Sequence, residues 1–121
     1  MKLKKYGFFK ELRHGDENGI SLKVLINKNA STNEDKFVKY LKKGVVFIAC
    51  PGIVKDVLDE KGGIIGSPHI LTDGVWAWPA DLIYYIEKYH IKIPNDFEKH
   101  MMDNSWIPPI EGNINLEELE L

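Results

Sequence analysis

Two short spacings in this chain bring together side chains that can do chemistry: His14 with Asp16, and His69 with Asp73. A histidine held by a carboxylate can act as a general base, and both groups are also common metal ligands. The single cysteine, Cys50, is the one thiol nucleophile. Each group also has a structural interpretation, because polar turns, packed histidines and buried free thiols are common in proteins without catalytic function.

Motifs of high catalytic specificity are not found around these residues. The chain has no phosphate-binding glycine loop, no nucleophile elbow and no paired cysteines or histidines at metal-ligand spacing. We therefore predict a binding protein with no cofactor, no metal and no catalytic residues. The alternative is a small enzyme, or a metal-dependent hydrolase-like protein, that uses His14, Asp16 and His69.

Length and composition are those of one globular domain that spans residues 1–121. The chain is 44% hydrophobic and 28% charged, and 121 residues can bury a core without disulfides. One cysteine allows no internal disulfide, which suits a reducing compartment. No apolar segment has the length of a secretory signal or a membrane span. We expect a soluble, cytoplasmic protein with no membrane partner.

Charge is unevenly divided along the chain. Residues 1–43 hold 11 basic and 5 acidic side chains, a balance of +6, whereas residues 44–121 hold 5 and 13, a balance of -8. The basic N-terminus also carries aromatic residues, a mixture that can bind nucleic acid. The net charge of -2 and the pI near 6.1 argue against that partner. The acidic half is interpreted either as ordinary solvated faces or as a patch for a basic protein.

The elements of the first half are read from capping residues and apolar spacing. Residues 6–12 predict a short helix that ends at Gly15, and Ser21 predicts a cap for a second one, with a strand over 20–24 as the alternative. A capping-box pattern at residues 31–34 predicts a helix that ends before Gly44. The apolar segment 45–49 predicts a buried central strand.

The second half contains the most informative segment. Residues 54–58 predict another short helix, and Asp73-Gly74 predicts a β-hairpin over residues 69–78 with a type I′ turn. In the predicted register Leu71 faces Trp76. One side of the hairpin then carries His69, Leu71, Trp76 and Trp78, and the other carries Ile70, Thr72, Val75 and Ala77.

Two more helices are predicted after the hairpin. The first opens at Pro79 and Asp81 and continues through Tyr89, and the second opens at residues 95–98. Residues 112–121 are acidic, and they predict either a helical turn or a loose tail. We therefore predict an α+β domain with a small, mostly antiparallel sheet and helices packed mainly on one face.

The sequence also resembles a known kind of protein. The segments GFFKEL at 7–12, HGD at 14–16 and ILTDGVWAWPADL at 70–82, followed by YY at 84–85 and YH at 89–90, resemble a family of small single-domain bacterial proteins. Proteins of this size and character are similar to immunity proteins, the cytoplasmic antidotes of interbacterial toxin systems such as contact-dependent growth inhibition. The resemblance implies a cognate toxin as partner, and it implies no catalytic residue.

The resemblance and the charge together predict an interface. Many toxins of these systems are basic nucleases, so an acidic surface with aromatic anchors suits the partner. The predicted toxin-binding residues lie in and after the hairpin: Asp73, Trp76, Trp78, Asp81, Tyr84, Glu87, Asp96 and Glu98.

Overall fold

Three helices and six short strands form the protein, seen here in a computed structural model that describes residues 1–121. The strands are β1 (Lys4–Lys5), β2 (Val45–Ile48), β3 (Val54–Lys55), β4 (Ile64–Gly66), β5 (Ile70–Thr72) and β6 (Trp76–Pro79). The helices are α1 (Glu34–Lys42), α2 (Leu82–Tyr89) and α3 (Asn95–Asp103). No helix has the length and apolar composition that crossing a membrane requires.

The main sheet has four strands in the order β1-β6-β5-β2. Strand β5 pairs antiparallel with both β2 and β6, and β1 adds to β6 in parallel. Strands β3 and β4 form a separate antiparallel pair. The prediction of an α+β domain with a mostly antiparallel sheet is confirmed.

The hairpin turn lies one residue later than predicted. Leu71 pairs with Trp78 and Thr72 pairs with Ala77, so the two loop residues are Gly74 and Val75. Gly74 has φ +95°, which favours a type II′ turn over the predicted type I′. The register therefore differs from the prediction by two residues. Because side chains alternate with period two, this shift leaves every side chain on its predicted side.

The side of the hairpin that carries both tryptophans packs against two helices. Trp76 stacks on Phe97 of α3 with ring centroids 4.3 Å apart, and Trp78 lies 5.8 Å from the same ring. Tyr40 of α1 approaches Trp78 at 6.3 Å. The hydrophobic core therefore lies between this face of the sheet and helices α1 and α3, and α2 adds Leu82, Tyr85 and Ile86 to it.

Two predicted helices are wrong. Residues 6–12 contain no helix. The amide of Lys4 donates to the Val75 carbonyl at 2.9 Å, and the amide of Tyr6 donates to the Ala77 carbonyl of β6 at 3.1 Å. These bonds hold the start of the segment in an extended form against the sheet. Residues 54 and 55 form β3 instead of a helix, because β4 returns about ten residues later and pairs with them. In both cases the segment pairs with a strand elsewhere in the chain, which the local spacing of apolar residues does not indicate.

Helices α1, α2 and α3 are confirmed, although the starts of α1 and α2 differ from the prediction, and the predicted cap at Ser21 is observed on a shorter element. Ser21 caps a 3-10 turn at Leu22–Val24, where its hydroxyl accepts from the Lys23 amide. The capping box before α1 does not form, since Asn33 flanks the helix and makes no capping bond with its side chain. Pro79 ends β6, and α2 begins only at Leu82.

Strand β2 is confirmed, but it is an edge strand and not a central one. Its burial alternates between half-buried and exposed side chains. An extra residue falls between Val46 and Ile48 in its pairing with β5, which is the pattern of a β-bulge. The strand with the most apolar composition therefore lies at a margin of the sheet.

The C-terminal residues turn back onto the N-terminus. Residues Leu116–Glu118 form a 3-10 turn, so the helical alternative for this segment is the one observed. Glu120 forms a parallel bridge with Lys2, and its carbonyl accepts from the Leu3 amide at 2.7 Å. The tail is thereby held against the residues that precede β1.

Gly44, between α1 and β2, leaves no room for a side chain. A Cβ there would lie 2.5 Å from the Trp78 ring and 3.1 Å from the Leu71 side chain. We expect Gly44→Ala to lower the unfolding free energy by about 1–3 kcal/mol, because the ring must shift in a packed core. Urea unfolding measures this. The control is Gly112→Ala, where a Cβ meets no atom within 4 Å; equal stability of the two variants would contradict the steric account.

Candidate functional site

Four of the predicted toxin-binding residues lie inside the protein. The exposed fractions are 2% for Asp73, 5% for Trp76, 0% for Trp78 and 1% for Asp81. Side chains this buried have no surface to offer a partner. The prediction that these four form a surface is therefore wrong, because the hairpin and the start of α2 use them to bind other parts of the chain.

The other four predicted residues are more accessible. Glu87 is exposed and lies 3.9 Å from Lys42, and Asp96 is exposed at the start of α3. Glu98 is half-buried and accepts a hydrogen bond from Asn33. Tyr84 is half-buried and donates to a carboxylate described below.

Asp73 holds the hairpin turn and connects it to two helices. Its Oδ1 accepts from the amides of Val75 and Trp76 at 2.9 and 2.8 Å. Its Oδ2 accepts from the Tyr40 hydroxyl of α1 at 2.6 Å and lies 2.9 Å from Nε2 of His100 in α3. Both oxygens are thus committed, as a buried carboxylate requires. Asp73 therefore connects the hairpin to α1 and α3 inside the protein, although the Asp73-Gly74 pair had predicted an exposed turn.

The residues of the enzyme alternative are only partly brought together. His14 and Asp16 line the largest cavity, of about 600 Å³, but His69 is not among its lining residues. Nδ1 of His69 instead accepts from the Cys50 amide at 2.9 Å. No group of three or more His, Cys, Asp or Glu side chains lies close enough to hold a metal ion.

A different histidine–carboxylate pair does form, between His14 and Asp81. Nε2 of His14 lies 3.1 Å from Oδ1 of Asp81, although the residues are 67 positions apart in the sequence. The remaining polar atoms, Nδ1 of His14 and Oδ2 of Asp81, are buried without a partner. Such a carboxylate can orient a catalytic histidine. Here the second ring nitrogen is itself closed to solvent, so the pair acts first as a link between the N-terminal segment and α2.

A third buried carboxylate, Asp56, lies beneath one face of α2. It accepts from the hydroxyls of Tyr84 and Tyr89 at 2.8 and 2.6 Å, from Nζ of Lys88 at 3.0 Å and from the Leu58 amide at 2.8 Å. Tyr84 and Lys88 are four residues apart and therefore lie on one helix face, and Tyr89 reaches the same carboxylate from the last position of α2. The ammonium of Lys88 also lies over both tyrosine rings, at 5.6 and 5.3 Å from their centroids.

These contacts change the acidity of the groups. Burial alone raises the pKa of Asp56, but the hydrogen bonds from Tyr89, Tyr84, Leu58 and Lys88 outweigh it and hold the pKa below its usual value. Burial, followed by the hydrogen bond to Asp56, raises the pKa of Tyr89 to about 12. Asp56 is therefore ionised in the folded protein at neutral pH, with its charge fully paired.

The surface that is both acidic and apolar lies along the C-terminal segment, where the sequence had predicted only a turn or a tail. Residues 107–121 contain four glutamates and no lysine or arginine. Ile107 and Ile110 are 63% and 70% exposed. A Cβ at Gly74 would lie 3.6 Å from Ile114, so this segment rests on the hairpin turn. We call residues 107–120, with Val75 beside them, the C-terminal acidic surface.

The Asp56 cluster makes a prediction about pH. Asp56→Asn should lower the unfolding free energy at pH 7 by about 1–3 kcal/mol, because an amide nitrogen cannot accept from a tyrosine hydroxyl. The pKa of Asp56 is lower in the folded protein than in the unfolded chain, where it is near 3.9. The stabilisation that ionised Asp56 gives is therefore complete above the unfolded pKa and is lost as pH falls through the folded pKa. The difference between wild type and variant should therefore shrink on acidification.

Urea unfolding at pH 7 and at about pH 3 measures this difference. Asp59→Asn is the matched control, since Asp59 also pairs with Lys88 but is 44% exposed. If the difference in unfolding free energy between wild type and Asp56→Asn stays constant over this pH range, the stabilising role of ionised Asp56 is contradicted.

Comparisons of the chain with family models, with curated proteins and with solved structures find no match. The function proposed for this chain therefore rests on its own residues and their contacts.

Proposed function

We propose that this protein is an immunity protein, which binds a cognate bacterial toxin domain and neutralises it by direct contact. In this proposal it acts in the cytoplasm, and its partner is the toxin and not a nucleic acid. The observation that carries the proposal is the C-terminal acidic surface, where exposed isoleucines lie among glutamates with no basic residue in the segment.

The chemistry of this surface suits a basic partner. Glu111, Glu117 and Glu118 are exposed, and none of the ion pairs in the structure involves them. A nuclease toxin carries lysine and arginine to bind phosphates, so a surface of opposite charge speeds encounter and selects the partner. The exposed apolar side chains of Ile107 and Ile110 supply the buried centre that a specific interface needs.

The fold also gives this surface a fixed base. Ile114 packs on the hairpin turn, which Asp73 ties to α1 and α3. Hydrogen bonds between Glu120 and the N-terminal residues hold the other end of the segment. A surface ordered before binding loses little conformational entropy when a partner arrives, which favours tight neutralisation.

Co-expression tests the function. The toxin domain encoded beside this protein is expressed in bacteria with and without it, and growth and complex formation are measured. We expect growth to be restored and the two proteins to co-purify. A toxic neighbour that kills equally in both cultures and forms no complex would contradict the proposal.

A charge variant tests the surface. Glu111→Gln with Glu117→Gln should weaken binding of that toxin domain by about three- to tenfold at low salt, since each exposed pair contributes roughly 0.2–1 kcal/mol. The loss should diminish as salt screens the charges. Isothermal titration calorimetry at two salt concentrations measures both effects.

The matched control is Glu17→Gln with Glu60→Gln, which changes the net charge equally at exposed positions outside the surface. If both double variants bind alike while the wild type still protects cells, the surface assignment is wrong and the proposed function stands.

A further inference from the structure

The side of the main sheet opposite the tryptophans carries the largest cavity, of about 600 Å³. Lys5 pairs with Ala77, and Ala77 pairs with Thr72, so these side chains point to one side of the sheet. Ile70 lies two residues before Thr72 and therefore shares that side. Lys5 and Ile70 both line the cavity. The cavity is thus built on the side of the sheet that faces away from the hydrophobic core.

The loop over residues 7–20 forms the opposite wall of the cavity and is held in place. The Asp16 amide donates to the Phe8 carbonyl at 3.1 Å, which closes part of the loop on itself. The His14 ring lines the cavity and is fixed by its contact with Asp81. A wall ordered before binding loses little conformational entropy when a ligand arrives.

Three apolar side chains line this cavity and lie outside the hydrophobic core: Phe8, Ile20 and Ile70. Phe8 is half-buried and takes part in none of the ring pairs of the structure. Ile20 is 57% exposed. Apolar walls and a volume between about 300 and 1,000 Å³ are typical of sites for small molecules.

Two opposite charges line the same cavity without meeting. Lys5 and Asp16 are both exposed, and neither takes part in an ion pair. One oxygen of Asp16 accepts from the Asn18 amide at 2.9 Å, and the other makes no hydrogen bond within the chain. A ligand that carries both a carboxylate and an ammonium group pairs with both side chains.

We propose that this cavity binds a small zwitterion with an apolar side chain, which is the chemistry of a free hydrophobic amino acid. Its carboxylate contacts the Lys5 ammonium, its ammonium contacts the Asp16 carboxylate, and its side chain packs on Phe8 and Ile70. Each part of the ligand thus meets a group that the chain itself leaves unpaired. The site lies outside the C-terminal acidic surface, and its test uses no toxin domain.

Titration with L-phenylalanine, followed by calorimetry and by amide chemical shifts, tests the site. We expect a dissociation constant between about 10 µM and 1 mM, since the ligand is small and the charges are exposed. The amides of residues 7–20 and of Ile70 should shift. If about 5 mM L-phenylalanine shifts no amide, or only amides elsewhere in the chain, the proposal is wrong.

Three analogues each lack one part of the ligand. N-acetyl-L-phenylalanine has no ammonium and L-phenylalaninamide has no carboxylate, so each should bind about two- to fivefold more weakly. L-alanine has no large apolar side chain and should bind about tenfold more weakly or less. Binding of either phenylalanine analogue as tight as that of L-phenylalanine overturns the zwitterion, because the site then reads one charge only.

Charge variants assign the two ends of the ligand. Lys5→Gln should weaken L-phenylalanine about two- to fivefold and leave L-phenylalaninamide unchanged, since that analogue has no carboxylate to lose. Lys4→Gln is the matched control, because the Lys4 ammonium lies over the Trp76 ring on the other side of the sheet. Asp16→Asn should weaken L-phenylalanine but not N-acetyl-L-phenylalanine, with the exposed neighbour changed in Glu17→Gln as its control.

Phe8→Ala should weaken L-phenylalanine about tenfold, because the ring loses its packing partner. Phe47→Ala is the control, since Phe47 is also half-buried and outside the core but does not line the cavity. Near-ultraviolet circular dichroism of the buried tryptophans checks that the variants fold. If Phe8→Ala binds like Phe47→Ala, or Lys5→Gln like Lys4→Gln, L-phenylalanine does not occupy this cavity as proposed and the inference is overturned.

Discussion

Trp78 is the side chain of the sheet that contacts both α1 and α3, through Tyr40 and Phe97. Its side chain is fully buried, and its indole N–H donates to the Leu41 carbonyl at 3.3 Å. That carbonyl belongs to the last turn of α1, and it also accepts from the Gly44 amide at 3.2 Å. Gly44 lies directly against the ring, so the chain can pass from α1 into β2 only because this residue has no side chain. The start of β2, and hence the open edge of the sheet, follows from this one contact.

Three buried carboxylates hold the elements around this core. Asp73 connects the hairpin turn to α1 and α3, Asp81 connects α2 to the N-terminal segment, and Asp56 binds one face of α2. A charge placed inside a protein is tolerated only where donors surround it. Asp73 and Asp56 meet this condition with every oxygen accounted for. Asp81 keeps one oxygen without a partner, so of the three it is held least completely.

Local pattern was enough to predict much of the fold. Apolar spacing correctly predicted α1, α2 and α3 and the side of the hairpin on which each side chain lies. The hairpin sides are correct although the register is not, because a shift of two residues leaves each side chain on the same face of the strand. The turn itself was misplaced, because the Asp73 side chain accepts from the two amides that follow the glycine and so stands before the loop, not within it. The capping box predicted at residues 31–34 does not form for a related reason, since Asn33 binds Glu98 of α3 and Glu34 binds His90, the residue that follows α2.

The site was less predictable, because its contacts join distant parts of the chain. Nothing in the spacing of His14 and Asp81 indicates that they meet across 67 positions. The strand pairing that replaces the helix predicted at residues 54–58 is likewise a contact between segments, not a property of one. Sequence pattern reports which face of an element is apolar, whereas these contacts depend on where the elements are placed by the core.

Burial also changes what the charge division means for a partner. Thirteen acidic residues lie in positions 44–121, and three of them, Asp56, Asp73 and Asp81, are inside the protein and paired there. Ten remain, and four of these ten fall in the last fifteen residues, which contain no lysine or arginine of their own. The exposed acidic side chains of this half are therefore most frequent along the C-terminal segment, whereas Asp73 and Asp81 are buried in internal contacts. If the proposed basic partner binds this surface, it contacts the hairpin through the segment that rests on the hairpin turn.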